Sequence, residues 1–249
     1  MIERFQHEGI LTLRLAHGKA SALDIELLDA LLCELDRVAE DVRAIILTGT
    51  GSIFSAGVDL FRLTEGGADY VRRFLPLLSR CLRALFAFPR PVVAAANGHA
   101  IAGGCVLVLA ADARLMAAGS GRIGLPELLV GVPFPAAALE VVRFVVPRDK
   151  LQSLLYTGRT LPPQEALTAG LVDEVVPAEN LLARAQEVAR QLALSPPHVY
   201  RLTKQSLRAE ALARIDRAAE PQERAVLEVW SAAETHTHIR EYLRRTVRK

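Results

Sequence analysis

Residues 91–111 read Pro91-Val92-Val93-Ala94-Ala95-Ala96-Asn97-Gly98-His99-Ala100-Ile101-Ala102-Gly103-Gly104-Cys105-Val106-Leu107-Val108-Leu109-Ala110-Ala111, and their order decides the fold. The apolar run Pro91 to Ala96 predicts a buried strand, and Val106 to Ala111 a buried helix. Gly103-Gly104 stands at the turn between them. Glycines at such a turn leave backbone N–H groups bare at a helix N-terminus, which favours negative charge. Where that charge develops during a reaction, the turn is an oxyanion hole. The simpler alternative is a tight turn whose small residues only permit close packing. Taken alone, the stretch supports both readings equally.

The alternation of strand and helix extends outward. Leu11, Leu13 and Leu15 alternate with Thr12 and Arg14, as in a half-buried strand. Residues 24–40 carry Leu27, Leu28, Leu31, Leu32, Leu35 and Val38 at helical spacing. Ala44 to Thr48 is a short apolar strand, and 69–87 an amphipathic helix stopped by Pro89 and Pro91. Asp112 to Met116 predicts a further strand. This order makes the fold α/β, with largely parallel strands covered on both faces. Beyond residue 134 helices dominate, over 136–146, 149–157, 162–169 and 179–193, with Leu171 to Val176 as the one interrupting strand.

Ser195-Pro196-Pro197 marks a hinge, dividing a core over 1–194 from a helical region over 195–249. In that region Val199, Leu202 and Leu207 are too sparse to form a core of their own, so it is expected to pack on the body or on another subunit. No internal repeat is evident. A chain of 249 residues, 51% apolar and 23% charged, can bury a sizeable core. A net charge of +2 and 5% aromatic content argue against a dedicated nucleic-acid binder. No apolar run approaches the roughly 20 residues of a membrane helix, and the N-terminus lacks the layout of a signal peptide. Cys33, Cys81 and Cys105 are odd in number and scattered, as expected in a reducing cytoplasm.

A second loop, Gly51-Ser52-Ile53-Phe54-Ser55-Ala56-Gly57-Val58-Asp59-Leu60, follows the strand 44–48. Two such loops after neighbouring parallel strands lie side by side at one sheet edge, where open α/β sheets bind ligands. Two N–H groups converging on one carbonyl oxygen is the geometry that acyl and enolate chemistry needs. Gly49-Thr50-Gly51 is no dinucleotide loop, because Phe54 stands where the third glycine belongs.

Phe54-Ser55-Ala56-Gly57-Val58-Asp59-Leu60, Asn97 to Cys105 and Gly124-Leu125-Pro126-Glu127 together resemble the enoyl-CoA hydratase/isomerase (crotonase) family. Tyr156-Thr157-Gly158-Arg159, Glu165-Ala166 and Ala169 to Val175 continue the likeness in order, over roughly residues 10–205. The resemblance implies a crotonase-like (ClpP/crotonase) fold of repeated ββα units with a helical C-terminal trimerisation region. It implies a homotrimer or a dimer of trimers, and an acyl thioester of coenzyme A as substrate, with no separate cofactor. Carried over by position, the amides of Val58 and Gly103 would grip the thioester oxygen. Each such donor contributes about 3 kcal/mol to the transition state. The substrate would also meet Lys19, Ala20 and Ala22 at the adenine end, Ala56, Gly57, Asp59 and Leu60 in the first loop, Gly104 in the second, and Phe134. Lys204 is a weaker candidate for the ribose phosphate and reads more simply as a surface lysine.

The α-proton of a thioester is more acidic than that of an ester, and two fixed N–H donors would stabilise the enolate that its removal makes. Glu127 matches the family's second glutamate and would be the base, its pKa raised by Leu125, Leu128, Val130, Val132 and Phe134. Hydratases use two glutamates, and the first falls at Val106, which cannot activate water. A single carboxylate suffices to move a proton from one carbon to another, so the expected reaction is that of a Δ3,Δ2-enoyl-CoA isomerase. Alternatives are a hydratase or another crotonase-type lyase or hydrolase with a different second acid, or a non-catalytic acyl-CoA- or RNA-binding relative. Glu140 is such an acid, although pairing with Arg143 is the preferred reading. Cys105 reads as a buried structural thiol and His99 as packing. His236 and His238, two apart on a helix, diverge too far for a metal site.

Overall fold

The structure, a computed structural model, describes residues 1–217 and 221–246. Ten strands and eleven α-helices are present among them, with one short 3-10 turn at Ala178–Asn180, and the strands divide between two sheets. The first unit is β1 (Ile2–His7), β2 (Ile10–Leu15) and α1 (Ile25–Asp36). Three ββα units follow: β3 (Ala44–Thr48), β4 (Ile53–Ser55), α2 (Leu60–Phe86); β5 (Val92–Ala96), β6 (His99–Ile101), α3 (Gly103–Leu109); β7 (Ala113–Ala117), β8 (Ile123–Gly124), α4 (Glu127–Val130). After them come α5 (Ala136–Val145), α6 (Arg148–Thr157), β9 (Thr160–Leu161), α7 (Pro163–Thr168), β10 (Glu174–Val176) and α8 (Leu181–Leu192). The chain closes with α9 (Pro197–Arg217), α10 (Pro221–Ser231) and α11 (Ala233–Thr246).

The larger sheet has the order β1-β2-β3-β5-β7-β10 and the smaller β4-β6-β8-β9. From β2 to β10 the larger sheet is parallel, with only β1 antiparallel. Within each of these three later units one strand joins each sheet, so the repeat exists in space, whereas β1 and β2 both belong to the larger sheet. It escapes the sequence because β4, β6 and β8, the second strands of those three units, have only two or three residues, too few to establish a period of two.

The parallel strands are buried on both faces. Ile45, Leu47, Val92 and Ala94 face the main core, while Ala44, Ile46, Val93 and Ala95 pack with Leu181, Ala185 and Ala189 of α8. That is why 44–48 and 91–96 read as continuous apolar runs. The expected long helix of 69–87 begins nine residues earlier, at Leu60, bending at Gly67 where φ is +62°. Asp24 and Asp59 cap α1 and α2, their carboxylates accepting from the amides of Leu27 (2.8 Å) and Arg62 (3.0 Å). The C-terminal helices pack on the body of their own chain: Ala211, Ile215, Trp230, Ile239 and Leu243 belong to the main core. Val199, Leu202 and Leu207, the stripe visible in the sequence, stay exposed. Among the described residues no helix is long and apolar enough to cross a membrane.

Candidate active site

The loop after β4 is stitched to the segment before α1. Ala56 N donates to Ala20 O (3.0 Å), Leu23 N to Gly57 O (2.8 Å) and Asp59 N to Leu23 O (3.0 Å). Gly57 N donates to Ser55 Oγ (3.2 Å), whose hydroxyl donates to Ser21 O (2.7 Å). The amides on either side of Val58 are thus spent within the loop. That of Val58 itself makes no hydrogen bond among the described residues. Leu23 bridges to Val58 through the flanking Gly57 O and Asp59 N, so the amide of Val58 itself points away from Leu23.

The second loop exposes its amide by a different device. Ala102 precedes α3 with φ +51° and ψ −123°, a conformation that costs a side chain on the order of 1–3 kcal/mol. Its amide donates to Gly124 O (2.8 Å), anchoring it between β6 and β8. Gly103 is then the first residue of α3, and its N–H has no partner within the helix. The two loops touch: a Cβ built on Gly57 would lie 2.5 Å from Ile101 O and 3.3 Å from Gly103 N. Gly57, with φ +83°, must therefore be glycine for two reasons. Asn97 clamps the base of the first loop, accepting from Gly49 N (2.8 Å) and donating to Gly51 O (2.9 Å).

Val58, Gly103 and Glu127 line one cavity of about 80 Å³, with an otherwise apolar wall that includes Ala56, Leu60, Val106 and Val130. Glu127 opens α4, a single turn closed by Gly131 in the left-handed conformation. Its carboxyl is buried, and Oε2 has no hydrogen-bond partner among the described residues. Burial pushes its pKa up to about 8, because the ion is disfavoured where water is excluded and the residue's own backbone amide offsets this only in part. The arrangement can hold an oxygen that gains negative charge and present one carboxyl group to the atoms beside it.

The expected site residues divide accordingly. Ala56, Val58, Leu60, Gly103 and Glu127 meet at the cavity. Gly57 and Gly104 shape the loops behind it, and Asp59 caps α2. Ala20 and Ala22 flank the hydrogen-bonded seam, with exposed Lys19 beside them. Of the side chains expected around Glu127, Val130 and Val132 line the cavity, whereas Leu125 and Phe134 are buried elsewhere in the core and Leu128 is exposed. A four-residue helix turns its successive side chains to different sides, so neighbours in sequence do not surround one acid.

Lys204 is neither a surface lysine nor a phosphate ligand. It is buried, with Nζ 2.7 Å from Asp112 and 3.2 Å from the Arg90 carbonyl oxygen. Glu140 is held by Arg143 and by Arg214, whose Nε lies 2.6 Å from Oε2, which leaves it structural. Cys105 is fully buried, and burial raises its thiol pKa well above the usual range. His236 and His238 each meet a backbone carbonyl, of Trp230 and Leu129 respectively. Sequence reasoning missed Trp230 and Tyr242, which complete the cavity wall from α10 and α11. No local signal marks them, since both lie more than 100 residues after Glu127.

Residues 6–246 match the description of the enoyl-CoA hydratase/isomerase family. A putative enoyl-CoA hydratase of Thermus thermophilus is 38% identical over 195 residues, 76% of each chain. Mitochondrial enoyl-CoA delta isomerase 1 of Rattus norvegicus is 30% identical over 212 residues, covering 84% of this chain and 73% of the relative. The crystal structure of human mitochondrial delta3-delta2-enoyl-CoA isomerase superposes with a TM-score of 0.94 at 25% identity, covering 98% of this chain and 97% of that one. The chain belongs to the enoyl-CoA hydratase/isomerase family and has the crotonase fold.

Proposed function

We propose that this protein is a Δ3,Δ2-enoyl-CoA isomerase in which Glu127 alone moves the proton. The Val58 and Gly103 amides hold the thioester oxygen. Glu127, as carboxylate, takes a proton from C2 of a 3-enoyl thioester. The electron pair delocalises into a dienolate whose oxygen charge the two amides stabilise. The same carboxyl returns the proton to C4, leaving the double bond between C2 and C3. No atom is gained or lost, and Glu127 ends as it began.

The observation that carries this reading is a single carboxyl group in an otherwise apolar wall, with Val106 three residues after Gly103. Coenzyme A enters only as part of the substrate, and exposed Lys19, beside the Val58 loop, suits its path. The exposed Val199, Leu202 and Leu207 on α9 support self-association, with a trimer or dimer of trimers as the expected form. Three free cysteines suit a reducing compartment such as the cytoplasm.

The test is a product screen by mass spectrometry with 3-hexenoyl-, crotonyl- and 3-hydroxybutyryl-CoA. Isomerisation leaves the mass unchanged and moves the double bond, and Glu127→Gln should slow it at least about 10²-fold. Rapid addition of water to crotonyl-CoA, or full isomerase turnover in Glu127→Gln, would overturn the reading.

A further inference from the structure

The end of the cavity away from the two strand-end loops is built by helices, with Leu78 and Leu82 of α2 facing Trp230 of α10 and Tyr242 of α11. This C-terminal wall is strapped to the segment that follows Glu127. Trp230 Nε1 donates to Pro133 O (2.9 Å), and His238 Nε2 meets Leu129 O at 3.2 Å. Ala136 N, at the start of α5, donates to Glu223 on α10 (2.7 Å). Gly131 lies so close to α11 that a Cβ there would come within 2.5 Å of His238 Cδ2. The helices that close the cavity and the turn that carries the carboxyl group therefore form one tied unit.

We propose that this α10–α11 wall measures the acyl chain, and that Tyr242 sets the length the site accepts. The inference rests on the acyl-thioester reading above. With the thioester oxygen on the Val58 and Gly103 amides and the reacting carbons beside Glu127, the tail runs toward α2, α10 and α11. Leu78, Leu82, Trp230 and Tyr242 line that part of the cavity and are the side chains an aliphatic tail would meet there. Trp230 is fixed, being buried with its N–H spent on Pro133. Tyr242 is only partly buried, and its side chain makes no hydrogen bond among the described residues. Shortening it lengthens the cavity with no polar partner left behind.

The experiment reads binding and turnover separately. Calorimetry on the full chain gives the affinities of saturated butanoyl-CoA and decanoyl-CoA for the wild type and for Tyr242→Phe, Tyr242→Leu and Tyr242→Ala. The decanoyl-to-butanoyl affinity ratio should keep its wild-type value in Tyr242→Phe. It should rise through Tyr242→Leu to about tenfold in Tyr242→Ala, roughly what two newly buried methylenes supply. The kcat/KM ratio for 3-dodecenoyl-CoA over 3-hexenoyl-CoA should move in the same direction. Ratios unchanged in folded Tyr242→Leu or Tyr242→Ala, or a wild type that already prefers the long chain, overturn the inference. A wild type that binds acyl-CoA but isomerises nothing overturns the isomerase reading alone, and the binding ratios still decide this one.

Discussion

Glu127 is the residue on which the proposed isomerisation turns. Its pKa, about 8 against an ordinary 4.5, leaves the free protein mostly protonated near neutrality, whereas proton abstraction needs the carboxylate. The expected outcome is a kcat/KM for isomerisation that climbs with pH and levels off above about pH 8. A profile flat from pH 6 to 9 would sink the assignment. The same shift bears on stability. Because the folded state holds this proton more tightly than the unfolded chain, the contribution is full below the unfolded pKa of about 4.5 and is lost as pH rises through about 8. Glu127→Gln keeps the volume and removes the proton, so its urea midpoint should fall less than that of the wild type between pH 5 and pH 8. The residue's type and place in the turn were legible in Gly124-Leu125-Pro126-Glu127. Its isolation was not, because the side chains that exclude water from it come from six separate stretches of chain.

At the scale of elements, the site is two turns pressed together. Ser55, Gly57 and Leu23 spend every amide near Val58 except its own, and Ala102 accepts a left-handed conformation that leaves the Gly103 amide in the cavity. Gly57→Ala would place a methyl group against the Ile101 carbonyl at φ +83°. It should cost at least about 1–3 kcal/mol in chemical denaturation. It should also lower kcat more than it raises KM, because parting the loops moves one amide off the developing charge. A variant with wild-type kcat would show that the contact is not what aligns the amides. Both loops were readable from their small residues between strand and helix. The short strands that hold them in one sheet, β4, β6 and β8, were not. Pairing with their neighbours keeps them extended, and no local propensity does so.

At the scale of the molecule, α9 is fastened by a buried ionic cluster. Asp112 receives Lys204 at 2.7 Å and Arg208 at 2.9 Å, all three largely buried. The Arg208 guanidinium also lies 4.2 Å from the centre of the Phe86 ring and donates to the carbonyls of Ala110 (3.1 Å) and Ala111 (3.2 Å). Burial outweighs Asp112 in pushing Lys204 down to about 8, so this cluster anchors α9 in place at a cost in desolvation. Asp112→Asn strands two cations and should cost about 3–5 kcal/mol of unfolding free energy by urea denaturation. A loss below about 1 kcal/mol would mean that water reaches the cluster. The sequence by itself determined the parallel α/β core, the two amide-bearing loops and the acid between them, because strand burial, glycine turns and capping are written in neighbouring residues. Only the tertiary structure decided that Lys204 turns inward to Asp112, that Arg214 joins Arg143 in holding Glu140, and that Trp230 and Tyr242 close the cavity over Glu127. The Glu140–Arg143 pair, three residues apart on α5, was readable locally, but Arg214, Asp112, Trp230 and Tyr242 reach their partners from distant parts of the chain, and burial and charge pairing across such distances depend on how the elements dock.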